Sequence, residues 1–386
     1  MPQIEKNALV FGASGISGWS LMNQCLQYPS KDAFKSVTGL CNRPLSKQDA
    51  CLPDDDRLKI ISGVDLTQSV DTVTEQLKTI ENIGSINIVF FCAYIDGSDF
   101  ASRRQLNTSI LRASIESLEN AGANLETVIL QTGGKGYGLE FSQILDIRPP
   151  LYEHMPRIPE PWRSNVFYYE QYDTLERLSE GGRKWSFSEI RPDGIIGFVP
   201  GSNAMNLAQG IAMYLTLYRE VNGRGARVPF PGTAHGYASQ HSDTFQDILS
   251  KMEIFAALNR DRCTHGSSFN VANGETVSWA QVWPGICAYF GLVGDGPGDQ
   301  LVIIQDFVMK HQELWDQLVE SHGLRAGSIT SFNWPFIHFM LVEFDFDRQY
   351  SLDLARSVGF KESIDTVDGY RIAFDRMVKA KLIPSF

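Results

Sequence analysis

The sequence predicts an α/β fold in which a doubly wound parallel sheet is joined to a smaller, mainly helical lobe. Over the first 200 residues, short apolar runs alternate with amphipathic stretches, which is typical of parallel strands joined by crossover helices. The first apolar run breaks into a glycine-rich turn that opens a helix, as a doubly wound fold requires. We therefore expect one domain over residues 1–200, to which segments near 227–275 return, and a second lobe over 201–386.

The first half contains short apolar runs bounded by turn residues, each of which predicts a strand. These runs are Ala8–Phe11, Ser36–Cys41, Leu58–Ser62, Ile86–Cys92, Thr127–Gln131 and Trp185–Ile190. Helical patterns lie between them, notably Gly18–Tyr28 and Gln105–Ala121. This order predicts a Rossmann-type sheet.

The second half is mainly helical in pattern. Helices are expected over Asn203–Tyr218, Thr244–Leu258, Ser278–Phe290 and Val302–Ser321, and strands over Arg227–Phe230 and Ser268–Val271. The glycine-rich segment Gly291–Gln300 is the expected flexible surface loop. Large apolar residues fill Trp334–Leu341. Most of them fit plain core packing, and a minority could wall an apolar pocket.

Composition excludes several classes of partner. The 386 residues include 34 basic and 45 acidic side chains, a formal charge of −11. That charge repels nucleic acid and anionic membrane surfaces. No apolar run approaches the roughly 20 residues that a membrane span needs, and no secretory leader precedes the first strand. We therefore expect a cytoplasmic protein without a membrane span.

Cysteine and histidine spacing argues against metal and disulfide sites. The six cysteines are scattered, without a Cys-x-x-Cys pair, and the seven histidines are dispersed. Neither a zinc site nor a disulfide framework fits that distribution. A Gly-x-Ser-x-Gly nucleophile motif is also absent. The sequence therefore predicts no bound metal and no serine-hydrolase site.

The glycine turn after the first strand predicts a dinucleotide site. Gly12, Gly15 and Gly18 have the spacing found in short-chain dehydrogenases, with Ser14 and Ile16 between them. Gly12 permits the tight turn, Gly15 lets a pyrophosphate approach, and Gly18 lets the helix pack closely on the sheet. The helix start supplies free N–H groups and the positive end of the helix dipole. The alternative is a tight turn without a ligand.

The residues after the second strand favour NADPH over NADH. Gly39–Pro44 contains Asn42 and Arg43 but no carboxylate, whereas an acidic residue would bind the ribose hydroxyl of NAD. Arg43 can form charge-assisted bonds to a 2′-phosphate, although it could instead be a solvated arginine. Asp65, after the third strand, is placed to meet the adenine; alternatively it caps the next helix.

A tyrosine and a lysine from separate stretches form the candidate catalytic pair. Short-chain dehydrogenases usually place a lysine four residues after the catalytic tyrosine, but Tyr168 is followed there by Tyr172. Lys135 instead follows the fifth strand, at the edge where ligands bind in such sheets. We expect Lys135 to approach Tyr168 and lower its pKa. Otherwise Lys135 is a solvated loop residue, Tyr168 is a core aromatic, and the site is inactive.

Two motifs make the chain resemble the plant progesterone 5β-reductase and iridoid synthase family of atypical short-chain reductases. Residues 131–137 read Gln-Thr-Gly-Gly-Lys-Gly-Tyr, close to the family's Gln-Thr-Gly-x-Lys-His-Tyr. Residues 167–173 read Phe-Tyr-Tyr-Glu-Gln-Tyr-Asp, close to Phe-Tyr-Tyr-x-x-Glu-Asp. The likeness continues through 191–198, 206–207, 270–274 and the helix around Trp283. It therefore spans nearly the whole chain.

The resemblance implies that Tyr168 and Lys135 are the catalytic pair and that NADPH is the donor. We also expect Ala93, Tyr94 and Ile195 to contact the cofactor. The chain departs from the family pattern at Gly136, which replaces a histidine, and at Tyr172, which replaces a glutamate. Val166 is inserted before the second motif, and Leu139-Glu140-Phe141 stands where the family has Pro-Phe-Glu. These changes reshape the substrate wall, so the substrate does not transfer.

The resemblance implies reduction of a C=C bond conjugated to a carbonyl. The expected substrate is an apolar enone or enal, such as a terpenoid or polyketide of secondary metabolism, bound by the lobe over 201–386. The same pair could reduce a carbonyl directly. A third alternative is a non-catalytic protein that binds NADP(H) and reports redox state to a partner. A homodimer is compatible with the sequence, because this superfamily often dimerises.

Overall fold

The computed structural model describes residues 5–180, 182–201, 203, 205–325 and 327–386. The strands, in chain order, are β1 (Asn7–Phe11), β2 (Ser36–Cys41), β3 (Leu58–Ser62), β4 (Ile88–Phe91), β5 (Thr127–Gln131), β6 (Ser186–Pro192), β7 (Ile195–Ile196), β8 (Arg227–Pro229), β9 (Gln240–His241), β10 (Thr244–Phe245), β11 (Ser267–Val271), β12 (Val277–Ser278) and β13 (Val293–Asp295).

The α-helices, in the same order, are α1 (Ile16–Cys25), α2 (Val70–Lys78), α3 (Phe100–Asn120), α4 (Phe167–Glu180), α5 (Leu207–Asn222), α6 (Ala234–Ala238), α7 (Gln246–Leu258), α8 (Trp279–Tyr289), α9 (Ile304–Lys310), α10 (Gln312–His322), α11 (Trp334–His338), α12 (Asp353–Ser357) and α13 (Thr366–Lys379). Short 3₁₀ turns connect several of them, and a π-helical turn spans Phe339–Glu343.

Seven parallel strands form the central sheet. Their spatial order is β11-β6-β5-β4-β1-β2-β3, and every neighbouring pair is parallel. The chain leaves β1 toward β2 on one side and later returns to β4 on the other side, so the order reverses between β1 and β4. Ligands bind at such a reversal, beyond the carboxyl ends of the strands. The predicted Rossmann-type doubly wound sheet is confirmed.

Alternating side chains of the strands enter two separate cores. Ala8 and Val10 of β1 pack with the α1 and α7 side of the sheet, in the larger core. Leu9 and Phe11 face the opposite side, where α2, α3 and α4 supply the apolar partners. Successive strand residues point to opposite faces, so a nearly continuous apolar run buries both faces of one strand. This two-sided burial fixes the register of β1 and therefore the position of the glycine turn that follows it.

Helices α5, α8, α9, α11 and α13 form the second layer beside the larger core. Three tryptophans there, Trp279, Trp283 and Trp334, are almost fully buried, as is Trp315 of α10. Within Trp334–Leu341, the segment predicted to be dense in apolar groups, Ile337, Met340 and Leu341 are also buried. Core packing therefore accounts for these residues.

Several elements match their predicted bounds and others do not. β2, β3 and β5 begin and end where the sequence predicted. The prediction of a single helix over Val302–Ser321 is wrong. The chain forms two helices there, α9 and α10, which are separated at His311 because its φ of −111° is not helical. The segment Gly291–Gln300 contains β13, which pairs with β8 through the backbone and orders part of the expected loop. β11 joins the central sheet beside β6. The domain boundary near residue 200 stays a prediction.

Candidate active site

The glycine turn between β1 and α1 presses against the end of β4. Gly12 has φ +87°, and a Cβ at this position would lie 2.8 Å from the Ala93 nitrogen. A Cβ on Gly18 would overlap the Gly12 carbonyl oxygen. Only glycine fits at both positions, because one needs a left-handed backbone and the other a close approach. The turn therefore forms a narrow cradle with Ala93 as one wall.

The start of α1 offers unpaired backbone N–H groups to a ligand. Gly15 precedes Ile16, the first helical residue, without a side-chain cap, and the first turn holds no acidic residue. Other helices have such caps, for example Ser69 for α2 and Asp99 for α3. The Ser14 hydroxyl also forms no hydrogen bond with the described residues. Free N–H groups at a helix N-terminus suit a phosphate, so this cradle fits a dinucleotide.

The residues predicted to meet the adenosine half lie together where β2 and β3 end. Asn42 and Arg43 are exposed, and the Arg43 guanidinium has no hydrogen-bond or ion-pair partner in the described part of the chain. Asp65 accepts hydrogen bonds from the Thr67 nitrogen and hydroxyl and from the Gln68 side chain. The alternative of Asp65 as a helix cap is wrong, because Ser69 caps α2.

Contacts continue from the cradle toward Tyr168. Tyr94 follows Ala93 and donates a hydrogen bond to Asp96 at 2.9 Å. Its ring packs against Phe167 in a tilted arrangement, with 5.8 Å between the ring centroids. The Phe167 and Tyr168 rings are 4.4 Å apart. Tyr94 therefore connects the end of β4 with the first turn of α4.

Tyr168 lies against the loop that contains Lys135. A Cβ on Gly133 would be 3.6 Å from the Tyr168 hydroxyl and 3.2 Å from the Pro192 carbonyl. The hydroxyl itself forms no hydrogen bond with any described residue. Gly133, in the loop after β5, therefore lies between the end of β6 and a phenol that can still donate to a ligand. Ile195 follows in β7, which pairs with β10.

Lys135 and Tyr168 share an acidic neighbour. Lys135 Nζ donates to Glu140 Oε1 at 2.7 Å, and Arg103 Nη1 lies 3.6 Å from the same oxygen. Burial raises the pKa of Tyr168, and the negative charge of Glu140 raises it further. The expectation of a lowered tyrosine pKa is therefore wrong: burial and Glu140 raise the pKa of Tyr168 and favour the neutral phenol, which could donate a hydrogen bond to a ligand.

A second tyrosine fixes the lysine loop. The Tyr169 hydroxyl donates to the Gly136 carbonyl at 2.5 Å and accepts from the Ile158 nitrogen at 3.2 Å. At the base of the loop, Thr132 donates to the buried Glu189 carboxylate at 2.7 Å. Sequence reasoning did not assign a role to Tyr169, Thr132, Arg103 or Glu140. Tyr169 belongs to the motif over residues 167–173, and Glu140 lies where Leu139-Glu140-Phe141 replaces the family's Pro-Phe-Glu. No sequence pattern indicates a role for Arg103.

Every helix among the described residues is too short or too polar to traverse a bilayer. Within the same residues, His, Cys, Asp and Glu side chains do not converge in groups of three that could hold a metal ion.

Residues 8–384 match the family model of a PRISE-like Rossmann-fold domain. The chain belongs to this family. The short chain dehydrogenase ausT of Aspergillus calidoustus is 33% identical over 389 residues, which cover 98% of this chain and 94% of the relative. The (S)-8-oxocitronellyl enol synthase ISY1 of Nepeta cataria is 27% identical over 343 residues, covering 87% of this chain and 83% of the synthase. The predicted family resemblance is confirmed, and this PRISE-like protein is an oxidoreductase of the short-chain dehydrogenase type.

Solved structures share the fold of the PRISE-like chain. A UDP-glucose 4-epimerase superposes with a TM-score of 0.64 at 12% identity, covering 97% of this chain and 98% of the epimerase. The Thermus thermophilus UDP-glucose 4-epimerase in complex with NAD has a TM-score of 0.61 at 13% identity, covering 96% of this chain and 98% of the epimerase. At these identities the likeness supports the fold alone.

Proposed function

We propose that this chain is an NADPH-dependent reductase of C=C bonds conjugated to a carbonyl, acting on an apolar small molecule. The main support is the Tyr168 hydroxyl, which has no partner among the described residues and lies against Gly133 at the carboxyl edge of the sheet. Family membership adds to it, since one relative is named as an enol synthase. When bound, a reduced nicotinamide cofactor supplies a hydride.

Tyr168 and Lys135 would act on the acceptor's carbonyl oxygen. As hydride adds to the β-carbon, the π electrons move toward that oxygen, which becomes an enolate. A phenol held neutral by burial donates a hydrogen bond to the developing charge, and a lysine ammonium adds electrostatic stabilisation. Such donors act mainly in the transition state, where the charge appears. Protonation of the α-carbon then gives the saturated carbonyl product.

Replacing Tyr168 by phenylalanine tests this role. Loss of one oxyanion donor typically costs about 10²–10³ in kcat, so we expect a loss of that size for Tyr168→Phe with NADPH and a cyclic enone. The fold should be unchanged, because the lost hydroxyl has no partner among the described residues.

Tyr218→Phe is the matched control, because its hydroxyl binds the Arg227 carbonyl in the second half of the chain. It should retain wild-type turnover. Product analysis must show a reduced alkene and a retained carbonyl; an alcohol product would instead identify a carbonyl reductase. Full activity of Tyr168→Phe would contradict the proposal.

The preference for NADPH rests on Arg43. Its guanidinium is exposed at the end of β2 without a partner among the described residues, so it is free to bind a 2′-phosphate. We expect Arg43→Ala to weaken NADPH binding about tenfold, or about 1.4 kcal/mol, and to leave NADH binding unchanged. Fluorescence titration with both cofactors measures this. Arg371→Ala on α13, an exposed arginine paired with Asp368, is the control, and equal wild-type affinities for the two cofactors would disprove the preference.

A further inference from the structure

Glu140 adds a negative charge beside the proposed catalytic pair. Its Oε1 lies 2.7 Å from Lys135 Nζ and 3.6 Å from Arg103 Nη1. The three side chains are only 19–23% exposed. Water therefore screens their charges less than it would on an open surface.

Backbone geometry and burial hold Glu140 in this position. Gly138, with φ +80°, starts the 3₁₀ turn Leu139–Phe141 in which Glu140 is the central residue. Leu139 and Phe141 are both buried on either side of it. A carboxylate between two anchored residues cannot easily move away from Lys135.

The charge of Glu140 acts on Tyr168 and Tyr94, at the proposed acceptor site. It contributes to the raised pKa of both Tyr168 and Tyr94, although burial is the larger cause for each. Asp96 is the other carboxylate near Arg103, at 3.3 Å, but it is 69% exposed. Among the described residues, Glu140 is therefore the carboxylate that pairs with Lys135.

We propose that Glu140 determines acceptor specificity, making the site select uncharged enones over those that carry a carboxylate. This inference rests on the proposed function, because it concerns the acceptor that Tyr168 would bind. An anionic acceptor would have to displace Glu140 from Lys135, because their pairing offsets the lysine charge, and the displaced carboxylate would remain beside the acceptor as a like charge. Such repulsion against the wrong ligand is an established source of specificity.

The test compares a cyclohexenone carboxylate with its methyl ester, using wild type and Glu140→Gln with NADPH. Glutamine keeps an oxygen that can accept from Lys135 but removes the charge. Calorimetric binding and turnover are both measured for each compound. We expect wild type to favour the ester, and Glu140→Gln to shift the ester-to-acid ratio of dissociation constants and of kcat/KM toward the acid by at least about tenfold. The shift should shrink in 1 M salt (about 3 Å Debye length).

Glu119→Gln is the matched control. Glu119 is 24% exposed and pairs with Arg183 at 2.7 Å, as Glu140 pairs with Lys135, but it lies at the opposite end of α3 from Arg103. Its ester-to-acid ratio should equal that of wild type. A correctly folded Glu140→Gln with an unchanged ratio would overturn the inference, as would a wild-type preference for the acid or a failure of both compounds to bind. A shifted binding ratio without any alkene reduction would uphold charge selection and reject the proposed reaction.

Discussion

Two charged clusters lie near the carboxyl edge of the sheet and differ in burial. The open cluster consists of Arg103, Lys135 and Glu140, which are 19–23% exposed, with a direct ion pair at 2.7 Å. The buried cluster consists of Asp193, His241, Asp243 and Arg348, whose side chains are 1–4% exposed. Its contacts are longer, at 3.7 Å between His241 and Asp243 and 3.9 Å between Arg348 and Asp193.

The buried cluster is costly to the fold. Asp193 Oδ2, both ring nitrogens of His241, both carboxylate oxygens of Asp243 and Arg348 Nε have no hydrogen-bond partner among the described residues. Buried polar atoms without partners destabilise a protein, so the mutual attraction of the opposite charges matters here. The comparison shows that burial separates the two clusters: the buried charges lack hydrogen-bond partners among the described residues and depend on one another, whereas Lys135 and Glu140 form a direct and partly solvated pair.

The largest expected effect is the loss of Arg348. Arg348→Met removes the buried cation and leaves Asp193 and Asp243 without that compensation. We expect the free energy of unfolding to fall by about 3–5 kcal/mol, the usual cost of breaking a buried pair. Urea denaturation measures the change. Arg371→Met on the surface should cost less than about 0.5 kcal/mol; equal effects of the two variants would show that the buried cluster does not support the fold.

The next effect is a pH dependence of stability. Burial raises the pKa of Asp193 to about 6, with Arg348 opposing the shift and Asp243 and His241 also acting on it. In the folded chain the Asp193 carboxyl then keeps its proton up to about pH 6, whereas in the unfolded chain it loses the proton above about pH 3.9. Unfolding therefore releases a proton in this window, and rising pH destabilises the fold.

Asp193→Asn removes this titration and isolates its effect. Relative to the variant, wild type should lose about 2 kcal/mol of unfolding free energy between pH 4 and pH 6.5. Denaturant titrations of both proteins across that range measure the difference. A difference that is constant with pH would contradict the raised pKa of Asp193.

The smallest expected effect is the change in the free energy of unfolding when Lys135 of the open cluster is replaced. Lys135→Met should change the free energy of unfolding by less than about 1 kcal/mol, as is usual for partly solvated pairs, while greatly reducing enone turnover. Thermal melting and activity assays on one preparation separate the two quantities. A large loss of stability would show that the open cluster also supports the fold.

Local patterns were enough for much of the fold and part of the site. The bounds of β2, β3 and β5 follow from apolar runs that end at turn residues. The position of Gly12 follows from a left-handed turn that only glycine adopts without strain. The approach of Tyr168 to the loop before Lys135 was also predictable, because the carboxyl ends of parallel strands share one edge.

Other features were not predictable because they depend on residues that are distant in the sequence. The contact of Arg103 with Glu140 joins α3 to the loop after β5, and neither residue indicates the other in any local pattern. The predicted direction of the Tyr168 pKa shift was wrong because burial and Glu140 outweigh Arg103, the cation that lowers the pKa of this phenol. The break at His311 was missed because the apolar periodicity of Val302–Ser321 continues across it.

By itself, then, the sequence determined the doubly wound sheet, the glycine cradle and the family, since periodicity and backbone conformation depend on neighbouring residues. Tertiary structure alone decided which charges meet, how deeply each is buried and in which direction the pKa of Tyr168 shifts. These properties depend on the dielectric environment and on distances between remote segments, and both exist only once the chain has folded.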